Sequence, residues 1–110
     1  MEFVKVARKD AVAPGKMLVV RVGEHDVVLY NVDGALYASR DFCPHAGYEL
    51  SKSFFRGKYV RCSLHSWEFD VTNGQNTANA HICLKRYDVK VEGEDVLVSA
   101  EPLPKAPPTT

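Results

Sequence analysis

A chain of 110 residues and 12.3 kDa has room for one domain, and its 45% hydrophobic and 25% charged residues are those of an ordinary folded protein. Fourteen basic residues balance fourteen acidic ones, which removes the electrostatic case for nucleic acid or an anionic membrane as a partner. No run of about eighteen apolar residues occurs, so no membrane span is expected.

In chain order the pattern reads all-β. Phe3–Val6 is a short first strand, and Ala13-Pro14-Gly15 turns the chain before a strand over Met17–Val22. Val27–Val32, Asp33-Gly34 and Ala35–Ala38 together predict a hairpin with a tight type I′ turn. Gly57 is expected to fold Ser53–Arg56 back on Tyr59–Cys62, and Trp67–Val71 runs into a turn at Thr72-Asn73-Gly74. Tyr87–Val91 and Val96–Val98 around Gly93 form a closing hairpin, with Val89 and Val91 on one face and Lys90 on the other. No repeat and no sustained helical period is visible. The tail from Pro102 to Thr110 holds four prolines and is expected to be disordered.

The start of the chain lacks an apolar signal core, and Glu2 and Asp10 interrupt any transit-like basic run. A cytoplasmic location is therefore expected. Three cysteines, an odd number, agree with a reducing compartment.

Two clusters break the strand pattern. Cys43-Pro44-His45 is followed, with sixteen residues between, by Cys62-Ser63-Leu64-His65. Each puts a thiolate donor beside an imidazole donor on a loop, so a metal centre is the first reading. Two cysteines and two histidines make a competent tetrahedral zinc set. Structural zinc fingers, however, pair cysteines with cysteines and place the histidines on a helix, and no helix follows here. A two-iron centre fits the arrangement better, one iron taking Cys43 and Cys62 and the other His45 and His65. Two ferric ions, two sulfides and two thiolates sum to zero charge, and reduction brings the centre to minus one. An all-cysteine centre would be two charges more negative in each state, so imidazole ligands make reduction easier. The outer imidazole N–H groups would offer an electron exit and hydrogen bonds to a partner, with a pKa that falls on oxidation.

From about Phe3 to Val98 the chain resembles the Rieske ferredoxins, especially the small ones that serve bacterial ring-hydroxylating dioxygenases. The resemblance rests on Cys43-Pro44-His45-Ala46-Gly47, on Gly57, on Cys62 through Asp70, on Thr72-Asn73-Gly74 and on Leu84 through Val91. It implies an antiparallel β-sandwich base within a single domain over 1–101, carrying a small two-loop cluster-binding subdomain at about 41–70. It also implies a Rieske [2Fe-2S] cluster, with Cys43 and Cys62 on the buried iron and His45 and His65 on the outer one. Such proteins are electron carriers rather than enzymes, moving single electrons from a flavoprotein reductase to an oxygenase.

Departures from the pattern are informative. The respiratory branch of the family has an extra cysteine in each loop; Tyr48 and Leu64 stand there in this chain, so no disulfide can cross the cluster. That branch also has serine and tyrosine hydroxyls where this chain has Trp67 and Phe69. Without those donors the reduced state is less stabilised, which predicts a low potential within the Rieske class. Ser63 and Ser66 replace the proline and glycine common beside the second histidine. Cys83 is read as a structural thiol, and Tyr59, Trp67 and Phe69 as core packing. Pro44 stiffens its loop, and Gly47 and Gly74 serve backbone geometry. His25, His81 and Lys85-Arg86 are read as solvated. The competing readings are a small Rieske subunit fixed in a multicomponent oxygenase, a redox sensor, and a structural zinc module.

Overall fold

Short alternating runs punctuated by glycine turns give a chain of strands in the computed structural model, which describes residues 2–43, 49–62 and 67–103. The strands are β1 (Phe3–Arg8), β2 (Met17–Val22), β3 (His25–Val32), β4 (Ala35–Arg40), β5 (Phe54–Arg56), β6 (Tyr59–Arg61), β7 (Glu68–Asp70), β8 (Arg86–Tyr87), β9 (Val89–Glu92) and β10 (Asp95–Ser99). They build three antiparallel sheets, ordered β1-β10-β9, β2-β3-β4-β8 and β5-β6-β7. The all-β expectation holds, and among the described residues no helix is long and apolar enough to cross a membrane.

Asp33 and Gly34 both take positive φ, 51° and 96°, which is the type I′ geometry the sequence predicts. That turn sets Val32 opposite Ala35 and carries the register on to Val27 opposite Arg40. Asn31 braces it, accepting the Gly34 amide at 2.7 Å while donating to the Val12 carbonyl at 2.8 Å.

β3 explains the layering. Val27, Val28, Leu29 and Tyr30 are all fully buried, so this strand is covered on both faces. Val27 and Leu29 join Val20, Val22, Ala38, Tyr87, Val96 and Val98 in one core, against the β1-β10-β9 sheet. Val28 and Tyr30 face the opposite way, into a second core with Cys43, Leu50, Val60, Cys62, Phe69, Val71 and Leu84. The four-stranded sheet is thus a middle layer, and the small β5-β6-β7 sheet lies over its second face. Tyr30 is the large polar-tipped residue in that second core. Its hydroxyl meets Ser39 Oγ at 2.8 Å, and Ser39 Oγ in turn donates to the Arg40 carbonyl at 3.2 Å. Burial pushes the Tyr30 phenol pKa well above its ordinary value.

The closing hairpin departs from expectation. The predicted run Tyr87–Val91 is broken at Asp88: β8 pairs with β4, whereas β9 pairs with β10. Asp88 is the corner where the chain changes sheets. Its amide donates to Ser99 Oγ at 3.0 Å, and the Ser99 amide donates to its carbonyl at 2.9 Å. Val89 packs against the core, but Val91 is 45% exposed, because β9 is an edge strand and nothing covers its far end. Two single 3₁₀ turns, Lys9–Ala11 and Leu50–Lys52, were not anticipated; three residues leave no readable period. His25 is the exposed first residue of β3 rather than part of the turn before it. Of the proline-rich tail, 104–110 lies outside the described residues, and the Leu103 amide donates to the Arg86 carbonyl at 2.7 Å.

The turn after β7 forms as predicted and holds a buried-side carboxylate. Asp70 accepts the Thr72 hydroxyl at 2.6 Å, the Thr72 amide at 2.9 Å and the Lys58 ammonium at 3.1 Å. Partial burial opposes ionisation, but Thr72 and Lys58 outweigh it, and the Asp70 pKa lies below the ordinary carboxylate value. A pKa lower in the folded than in the unfolded chain adds stability at pH above the ordinary value; this is lost as pH falls through the lowered one. The urea midpoint of the wild type is therefore expected to drop on acidification across that window, and that of Asp70→Asn to drop less. Parallel profiles would count against the assignment. Gly74 closes the same turn at φ 77°, and a Cβ there would come within 2.8 Å of the Arg86 side chain.

Candidate metal centre

β4 and β6 deliver the two cysteines of the paired motif. Cys43 lies three residues beyond the end of β4, and Cys62 directly follows β6. Both are buried, at 0% and 1% exposure, and both belong to the core beneath the small sheet. Neither is in a disulfide. His45 and His65 lie outside the described residues, as do Pro44, Gly47, Tyr48, Ser63, Leu64 and Ser66. Among the described residues no group of three or more His, Cys, Asp and Glu side chains assembles around a metal-sized point. What the structure brings together is therefore the thiol half of the expected ligand set.

Hydrogen bonds between described residues join the two ends of each motif segment. Asp41 accepts the Ser51 amide on Oδ1 at 2.8 Å and the Ser51 hydroxyl on Oδ2 at 2.7 Å, closing the segment that contains Cys43 and His45. The Cys62 amide donates to the Trp67 carbonyl at 2.7 Å, closing the segment that contains His65. Asp41 and Ser51 were not singled out from the sequence. The available signal was an aspartate two residues before Cys43 and a serine ten residues further on, a pairing too common to stand out.

The surroundings of the thiols fit a cluster of low total charge. The described side chains packed with them, Val28, Leu50, Val60, Phe69 and Val71, are apolar, and Tyr30 is polar only at its tip. Thiolates balance the charge of a bound metal, so such a wall suits a centre whose net charge is near zero. Phe69 is fully buried and Trp67 half-buried, their rings 6.5 Å apart, which bears out their reading as packing residues. Tyr59 corrects that reading: it is 38% exposed, with the Lys58 ammonium 5.5 Å from its ring. In β6 only Val60 points inward, and Tyr59 and Arg61 flank it on the outer face. Cys83 stands apart, half-exposed, its Sγ donating to the Ala80 carbonyl at 3.4 Å.

Residues 2–88 match the family model described as the Rieske [2Fe-2S] domain. The chain belongs to the Rieske [2Fe-2S] family. Among Rieske relatives, the ferredoxin component of the alkene monooxygenase system of Xanthobacter autotrophicus is 39% identical over 106 residues, covering 96% of this chain and 87% of that one. The ferredoxin component of biphenyl 2,3-dioxygenase of Rhodococcus jostii is 36% identical over 102 residues, covering 92% and 95%. A chain from the solved complex of reduced oxygenase and oxidized ferredoxin in carbazole 1,9a-dioxygenase superposes with a TM-score of 0.83 at 28% identity, over 92% of this chain and 95% of that one. This Rieske protein is accordingly a one-electron carrier with a Rieske-type [2Fe-2S] cluster.

Proposed function

We propose that Cys43, His45, Cys62 and His65 hold the cluster, thiolates on the inner iron and imidazoles on the outer, at a potential low in the Rieske range. The observation that carries this reading is the burial of both motif thiols in one apolar core. One-electron oxidation and reduction is the chemistry the bound cluster supplies. Cys43 and Cys62 balance the ferric charge, and the apolar side chains around them exclude water. The same apolar surround penalises the additional negative charge of the reduced state, which lowers the potential. Among the described residues, the buried hydroxyls of Tyr30 and Ser39 are already engaged, bonding to each other and onward from Ser39 to the Arg40 carbonyl. Trp67 and Phe69 bring no hydroxyl. The cluster-carrying part spans about 41–70 of a single domain over 1–101.

The carrier takes electrons from a flavoprotein reductase and passes them to an oxygenase, in the cytoplasm. The ferredoxin components of monooxygenase and dioxygenase systems among its relatives support that place in the chain of transfer.

The test is an EPR spectrum of the dithionite-reduced protein followed by potentiometry. A rhombic signal with average g well below two, and a midpoint towards the lower end of roughly −150 to +300 mV, is expected. A colourless zinc protein, or the signal of all-cysteine ligation, would overturn the ligand assignment. A midpoint at the top of the range would overturn the account of Trp67, Phe69 and the committed hydroxyls.

A further inference from the structure

The two ligand segments are closed by different chemistry. The segment after Cys62 continues a hairpin: Arg61 pairs with Glu68, and the Cys62 amide bond to the Trp67 carbonyl adds one more backbone rung at 2.7 Å. No side-chain substitution removes that rung. The segment after Cys43 leaves β4 at Arg40, and the described residues at its two ends meet through side chains, Asp41 on one end and Ser51 on the other.

Each end of this clasp is fixed separately. The Asp41 amide donates to the Asp26 carbonyl of β3 at 2.9 Å, tying it to the middle sheet. Ser51 follows Leu50, which is fully buried in the core that holds both motif thiols. Both carboxylate oxygens of Asp41 are used, one on the amide and one on the hydroxyl of Ser51. Two charge-assisted bonds in this arrangement set orientation as well as distance. A segment of nine residues between Asp41 and Ser51 otherwise pays the entropy of closing its own ends whenever the ligands assemble.

Building on the ligand reading above, we infer that Asp41 and Ser51 are positioning residues that hold the backbone carrying Cys43, and that the cluster is retained through this clasp rather than through the Arg61–Glu68 pair beside Cys62. Neither residue touches iron in this account; both act through the backbone that carries Cys43.

The experiment follows the visible absorbance of purified, cluster-loaded protein in excess chelator, with EPR of the reduced state and urea unfolding of the same samples. Ser51→Ala removes one of the two bonds and is expected to lose the cluster about tenfold faster than wild type, as befits a hydrogen bond to a charged group. Asp41→Ala removes both and is expected to be faster still, with broadened EPR features. Ser51→Thr keeps a hydroxyl and is expected to return the decay towards the wild-type rate, which a general loss of packing would not explain. Glu68→Gln weakens the 3.8 Å pair with Arg61 at the neck of the other segment and is expected to decay at the wild-type rate. Wild-type decay in Ser51→Ala, or equal acceleration in Glu68→Gln, overturns the inference. Should Asp41→Ala not fold, the Ser51→Ala and Ser51→Thr pair decides alone. A wild-type protein without a Rieske signal would instead overturn the ligand assignment beneath it, so the two failures are told apart.

Discussion

Cys43→Ala and Cys62→Ala proteins are expected to purify without visible colour or a reduced EPR signal, while Cys83→Ala keeps both at the wild-type level. The contrast follows from where the three thiols sit. Cys43 and Cys62 are buried at 0% and 1% in one core, whereas Cys83 is half-exposed and bonds to the Ala80 carbonyl. On the proposed ligand set of two thiolates and two imidazoles the oxidised centre is neutral, which suits a site walled by valines, Leu50 and Phe69. Removing one thiolate leaves a net positive charge facing that wall, and an uncompensated buried charge costs about 3–5 kcal/mol. The apo chain avoids that cost simply by not taking up iron. Circular dichroism should then show the strands intact, since alanine fills most of the space of a buried cysteine. A Cys62→Ala protein with a full complement of iron and sulfide would place the cluster elsewhere. Loss of colour in Cys83→Ala would bring that thiol into the ligand set.

Where an element was legible in the sequence, the reason was local. The Asp33-Gly34 turn needs positive φ at both positions, and few residue pairs supply it, so the hairpin of β3 and β4 could be read from two letters. The motif pairing Cys43 with His45 and Cys62 with His65 was equally local in character, and it led to the correct family. What stayed hidden depends on partners distant in the chain. Val27 to Tyr30 of β3 is a short apolar run; that it is covered by two different layers emerges only when β10 and β6 are seen on opposite sides of it. The break at Asp88 is set by Ser99, eleven residues away, which receives its amide. Tyr59 is a different kind of miss. Alternation around the inward-facing Val60 already puts Tyr59 on the outer face, and aromatic character misdirected the reading towards the core. The Asp41–Ser51 clasp joins two common polar residues across a gap of ten, and no periodicity marks it.

Phe69→Ala is expected to lower the stability of the protein by about 3–5 kcal/mol and, in the same protein, to raise the midpoint potential of the cluster. Phe69 is the central residue of β7, fully buried and paired in register with Val60. An isolated bridge to Asn76 ties it to the returning chain, and Trp67 packs against its ring at 6.5 Å. Truncation to alanine therefore opens a cavity between the small sheet and the core, and the strands on either side, held by their ladders, can close it only in part. The loss should be read as a shift in the urea midpoint with little change in slope, and Phe69→Leu should fall between the variant and wild type. The electrochemical effect has the opposite cause from the packing one. Phe69 lies in the same core as Cys43 and Cys62, so its removal lets water nearer the thiolate side and lightens the penalty on the reduced, more negative state. A protein that melts like wild type would deny Phe69 its structural place. One that is destabilised yet keeps the wild-type midpoint would mean that the apolar wall around the thiols does not set the potential, leaving the missing hydroxyls at positions 67 and 69 to account for it.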